Sequence, residues 1–253
     1  MPPPLTELAT QIEDLRADME FVRLASQLRP RLGSILRWEA QGEETELAKR
    51  FISANSGTPE SVYGPLLIRL LACLESYVRK MIAHAVIRKS KGAKSYDDIA
   101  ETLGNRNLVL TGRVLATLDS PREYIKFNIE EMVDNLASCR RGALPFKLNA
   151  PAFCAQLASV NPSVIEKALE NIDLTNWWDK IGANSSIASL LETKGSRATG
   201  ARAKERLKEL SRWRNHLAHG GEGQLVISES QLGEAIELVA AFGTALDSIL
   251  HQL

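Results

Sequence analysis

Apolar residues return every three or four positions along almost the whole of this chain, and the strict alternation of half-buried strands is hard to find in it. Leu5, Leu8, Ile12, Leu15, Met19, Val22 and Leu28 open the pattern, with charged residues filling the opposite face. Leu, Ala, Glu, Lys and Arg, all good helix formers, dominate, while aromatic residues are only 6%. These features restrict the chain to an all-α fold. With 253 residues it has ample length for a sizeable core and fits one large or two small domains.

Local signals divide the pattern into elements. The first helix starts at Leu5 and is expected to break at Arg29-Pro30, and a second runs from about 31 to 53 before the turn-like string Ala54-Asn55-Ser56-Gly57. Residues 1–57 therefore read as an N-terminal helical extension, and 58–253 as the main helical domain. Thr58-Pro59 reads as cap and first turn of a long helix to about 88, whose apolar face is Val62, Leu66, Leu70, Leu74, Tyr77, Val78, Met81, Ile82 and Ala85. A basic loop from Lys89 to Lys94 follows. Ser95 with Asp98 then starts a short helix over 96–103 that Gly104 is expected to end. Ser120-Pro121-Arg122-Glu123 forms a capping box for a helix to about 139.

Residues of about 143–200, with Pro145, Pro151 and Pro162, read as an irregular helical insert, including a fragment over 163–170 and the anchors Trp177-Trp178. The string from Gly195 to Gly200 is expected to be a mobile loop. A helix over 201–218 follows, with Ala203, Leu207, Leu210, Trp213 and Leu217 inward, closed by Gly220-Gly221. After a short extended linker at 225–227, Ser228 and Gln231 cap the last helix.

The formal charge is zero, so affinity for phosphates must come from local clustering. Three separated cysteines, Cys73, Cys139 and Cys154, suggest neither a disulfide framework nor a zinc knuckle, and a reducing cytoplasm fits them. The start Met1-Pro2-Pro3-Pro4 lacks a secretory signal's features, and no membrane span is expected.

The string Arg214-Asn215-His216-Leu217-Ala218-His219-Gly220 concentrates a permanent cation, an amide and two imidazoles at a helix C-terminus, and only four histidines exist in the chain. Asn215 and His219 share a face four residues apart, whereas Arg214 and His219 stand about 140° apart on an unbroken helix. The pair converges if the helix unwinds at Gly220-Gly221 or if two copies of the chain meet. Around it Lys194, Arg197, Arg202, Lys204, Arg206, Lys208, Arg212 and Arg214 outnumber Glu205 and Glu209. A basic approach surface ending in Arg and His suits a phosphodiester and the proton transfers around it. Walker-type loops, GxGxxG, HExxH and the serine nucleophile elbow are all missing from the sequence.

The string Arg214-Asn215-x-x-Ala218-His219-Gly220, followed by a short linker and a final amphipathic helix, resembles the R-x4-6-H motif of the HEPN superfamily. In particular it is similar to the RiboL-PSP-HEPN type, whose hallmark resembles RN-x-x-AHG. The stretch Leu70 to Tyr77, with Glu75 embedded, resembles that family's first core helix. The resemblance implies a HEPN-like helical bundle and a metal-independent endoribonuclease, active as a homodimer and needing no cofactor. It implies that Arg214 contacts the scissile phosphate, that His219 acts as general base or acid, and that Asn215 orients it. Cleavage by the ribose 2′-hydroxyl would leave a 2′,3′-cyclic phosphate. Arg212, His216 and Lys208 would contact the RNA, and Glu75 would support the site. Toxin or effector roles in defence and toxin–antitoxin systems are common in the family, which implies an antitoxin or regulatory protein as a further partner. Gly221 stands where a subgroup resembling R-x4-H-x-Y carries a tyrosine.

Other readings remain open on sequence. His219 can be a cation favoured by the helix dipole, Glu75 can pair with Arg79 at i,i+4, and the basic run can be a solvated face. A non-catalytic RNA- or protein-binding module of the same fold is the alternative to the enzyme, with a small-molecule or nucleotide-sensing bundle third.

Overall fold

The computed structural model describes residues 3–38, 43–54, 59–117, 127–141, 145–220 and 225–251, which hold twelve α-helices and no strand. Four long helices make the bundle: α1 (Pro4–Trp38), α3 (Glu60–Gly92), α11 (Ser196–His219) and α12 (Glu229–His251). Between them lie α2 (Glu43–Ala54), a turn α4 (Asp97–Ile99) running through a π-helical turn into α5 (Asn105–Ala116), and α6 (Ile129–Arg140). The insert contributes α7 (Ala150–Cys154), α8 (Pro162–Glu170), α9 (Trp177–Gly182) and α10 (Ser185–Leu190).

Helix α3 is the axis of the molecule because apolar residues occupy several of its faces. Leu67, Leu70, Leu71, Leu74, Val78 and Ile82 are essentially inaccessible, and each contributes about 1.5–3 kcal/mol by leaving water. Its length and composition would suffice to cross a bilayer, yet half of its most apolar stretch is buried among the other helices. Two tyrosines set the register between α3 and α12. The Tyr63 hydroxyl reaches Glu229 at 3.5 Å and the Tyr77 hydroxyl donates to the Gly243 carbonyl at 2.7 Å. The two pairs share one offset in sequence, so the helices run parallel. Helix α1 is antiparallel to both, tied by Asp18–Arg69 at 2.6 Å, Glu7–Lys80, and Arg16–Glu237 at 2.6 Å.

Packing joins the stretch expected as an extension to the main domain. Leu8, Ile12 and Leu15 of α1 are buried in the same core as α3 and α12, while α2 packs against α1. The break expected at Arg29-Pro30 does not occur, since α1 runs on to Trp38 with Pro30 inside it. Proline removes one ladder hydrogen bond, a cost that tertiary packing along the rest of the helix outweighs. The expected start of α3 at Thr58 lies outside the described residues, and at its other end Lys89 to Gly92, expected as loop, complete the helix.

Two glycine signals also read differently in three dimensions. Gly104 does not stop a helix. Its φ is −62°, and a Cβ there would meet the Tyr96 hydroxyl at 2.8 Å, so glycine serves space rather than a turn. Gly200 lies within α11 rather than in a mobile loop. A Cβ on it would stand 2.3 Å from the Trp178 carbonyl oxygen, and one on Gly182 would stand 1.9 Å from that of Ser196. The pair lets α9 and α11 cross at backbone contact, and α9 in turn seats Trp177 and Trp178 against Phe242 of α12.

Helix ends follow side-chain chemistry. Asn128 caps α6 by accepting from Glu131 N–H, whereas the capping box at Ser120 lies outside the described residues. Asn161 and Asn184 cap α8 and α10. At α12 both halves of the expected box form, Ser228 N–H to Gln231 and Gln231 N–H to Ser228.

Candidate functional site

Helix α11 carries the motif to its last turn. Ala203, Leu207 and Leu210 face the core, and Arg214 prolongs that face, partly buried at the end of the apolar stripe. Lys208, Arg212, Asn215 and His219 fall on the other side, where Arg212, Asn215 and His219 are exposed. The helix stays unbroken through His219, so Arg214 and His219 remain about 140° apart around its axis. Gly220 ends it with φ +67°, its N–H donating to the His216 carbonyl at 3.0 Å. Gly221 lies outside the described residues.

Leu217 anchors this end of α11. It packs on Gly64 in the second turn of α3, where a Cβ would meet its Cδ2 at 3.2 Å. Beside Gly64 one stripe of α3, through Ser61, Pro65 and Ala72, is open to solvent. The same stripe continues to Glu75 and Arg79, where the insert covers it through Arg79 donating to Leu157 and Cys154 Sγ to the Arg79 carbonyl. Leu217 therefore ties the motif end of α11 to the start of α3, whose open stripe ends where the insert covers it.

Charge pairing sorts the basic run. Arg206 is neutralised by Glu209 at 2.6 Å and Glu234 at 2.7 Å and lies over the Trp213 ring. Lys204 pairs with Glu166 at 2.9 Å, and Lys208 approaches Glu205 at 3.6 Å. Among the described residues Lys194, Arg197, Arg202, Arg212 and Arg214 have no carboxylate within salt-bridge distance. Of the residues expected at the site, the structure brings Arg214 and Asn215 together: Arg214 Nη1 donates to Asn215 Oδ1 at 3.2 Å. Asn215, expected to orient His219, accepts from the Arg214 guanidinium. His216 is half-buried beside them. Glu75 stands apart. It pairs with Arg79 at 2.7 Å, and its Cα lies about 16 Å along α3 from Gly64, the residue that marks the motif's level.

Residues 41–252 match the RiboL-PSP-HEPN family, and the chain belongs to it. HEPN domains are all-α and in general ribonuclease-like. No curated protein and no solved structure matches the chain.

Proposed function

We propose that the protein is a metal-independent endoribonuclease whose active centre forms where the motif ends of two copies meet. The observation that carries this reading is the state of Arg214. Arg16, Arg79 and Arg206, also partly buried, are matched by carboxylates, whereas the Arg214 guanidinium donates to the neutral amide of Asn215 and, among the described residues, has no carboxylate within salt-bridge distance. A scissile phosphate is the ligand that such a group suits, through charge-assisted hydrogen bonds that strengthen as negative charge develops.

In this reaction His219 takes the proton of the ribose 2′-hydroxyl, the oxygen attacks phosphorus, and the bond to the 5′ oxygen breaks as that oxygen takes up a proton. The products are a 2′,3′-cyclic phosphate and a 5′-hydroxyl, and the nucleophile comes from the substrate itself. His219 is exposed, and a second copy supplying one of the two groups would bridge its separation from Arg214 around α11. Asn215 positions Arg214, Arg212 and Lys208 steer the strand, and His216 completes the lining. A cytoplasmic toxin or effector restrained by an antitoxin or regulatory protein is the biological role this chemistry fits.

The test is incubation of the purified protein with mixed-sequence single-stranded RNA and total tRNA in excess EDTA, beside Arg214→Ala and His219→Ala. Cleavage with cyclic phosphate ends, lost in both variants, is the expected result. Binding without cleavage would replace the enzyme by a non-catalytic interaction module.

A further inference from the structure

A second polar cleft, of about 490 Å³, opens far from the motif, between α4 and the C-terminal end of α6. About 40 Å of α3 separates the two levels, counted from Gly64 to Gly92. Arg140 and Arg141 form one wall, Tyr96 and Asn105 the other, and Asp97 is the single carboxylate on its lining. Both arginines are exposed and, among the described residues, neither has a carboxylate within salt-bridge distance. Asp98, next to Asp97 in sequence, is already engaged by the N–H groups of Lys94 and Ser95.

The Tyr96 ring stands edge-on against Phe146, at 5.6 Å between centroids, and its hydroxyl rests against Gly104 on the cleft lining, where a Cβ would stand 2.8 Å from it. That hydroxyl has no acceptor among the described residues. Tyr96 and Arg140 line the same cleft, and burial pushes the phenol pKa up while the charge of Arg140 pulls it the other way. Cations at a helix C-terminus are favoured by the dipole alone, but the dipole accounts for neither the cleft nor the phenol. Two guanidinium forks and a phenolic donor around one hollow match the oxygens of a phosphate group.

We infer that this cleft is a phosphate-binding site for the RNA that the motif end acts upon, an assignment that rests on the ribonuclease reading above. The insert covers the α3 stripe beyond Glu75, so a strand joining the two sites passes over the outside of the insert, where α7 adjoins α5 and α5 adjoins α6. A strand occupying both sites must reach over about 40 Å, roughly a dozen stacked nucleotides at about 3.4 Å each. Short RNAs therefore reach one site at a time, and long RNAs engage both.

The test uses the full chain carrying His219→Ala alone, which suppresses cleavage and leaves the Arg214 phosphate contact in place, with and without Arg140→Glu and Arg141→Glu. A milder pair, Arg140→Gln and Arg141→Gln, and thermal melts of all forms separate binding from folding. Fluorescence anisotropy with labelled single-stranded RNAs of 6 and 30 nucleotides is expected to show about a tenfold or greater loss for the 30-mer and a smaller one for the 6-mer, with a log–log salt slope for the 30-mer shallower by about 1. Unchanged affinity and slope for the 30-mer, or no binding of it by either protein, overturns the inference. If AMP or inorganic phosphate binds in an Arg140- and Arg141-dependent manner while the 30-mer is unaffected, the ligand is a free phosphate compound and the RNA assignment falls. Cleavage in EDTA by the unmutated protein is scored separately. Its presence with an indifferent 30-mer removes this inference alone, and its absence with a sensitive 30-mer removes the catalytic reading instead.

Discussion

If Arg214 of one copy works with His219 of another, two inactive proteins should make an active one. The perturbation is to co-express, or exchange subunits between, Arg214→Ala and His219→Ala chains. In a twofold dimer each composite centre takes Arg214 from one chain and His219 from the other. A mixed dimer then has one centre lacking both groups and one centre intact. Random pairing makes half of all dimers mixed, so the mixture should recover about one quarter of the wild-type rate, while each variant alone stays at background. The assay is cleavage of labelled single-stranded RNA in EDTA at fixed total chain concentration, with light scattering confirming a dimer. The magnitude follows from the geometry of α11, which stays helical through His219 and so keeps the two side chains about 140° apart. A mixture no more active than its components would refute the reasoning, because it would mean that one chain holds the complete site.

Other predictions concern the frame. Gly200→Ala should destabilise the protein by at least about 1–3 kcal/mol, read as a fall in thermal midpoint, because the new methyl has only the Trp178 carbonyl to move against. Tyr77→Phe should lower the urea midpoint by about 0.5–1.5 kcal/mol in stability with no change in fold, through loss of the bond to Gly243. Asp98 has a carboxyl held below its ordinary value, first by the Ser95 N–H. Its stabilising contribution is therefore complete above about pH 4 and fades as the pH falls through the lowered pKa. A carboxyl titration by NMR should show that depression, and Asp98→Asn should flatten the acid limb of the stability curve.

Much of the architecture was legible because it depends on neighbours in sequence. The apolar spacing of α3, the box at Ser228 and Gln231, the pair Glu75–Arg79 and the glycine closing α11 all act over three or four residues. Pro30, Gly104 and Gly200 misled for one shared reason. Each is a local breaker in an unfolded chain, and its actual conformation is decided by packing along α1, by the Tyr96 hydroxyl and by the Trp178 backbone. At the site, the motif and its 140° split could be read directly. Which cations would be left without acids could not, because Glu166 and Glu234 arrive from other helices, and neither could the cleft at Arg140, whose opposite wall is about 35 to 45 residues earlier in the chain.

Helix α1 has a consequence for how this protein may be divided. The family match begins at residue 41, yet Leu8 presses against Gly243 of α12, close enough that a Cβ there would meet its Cδ2 at 2.5 Å. The unit recognisable by descent and the unit that folds are therefore different lengths. A fragment cut at the family boundary would bare the α3 and α12 surfaces that Leu8, Ile12 and Leu15 cover, turning an interior wall into a sticky exterior.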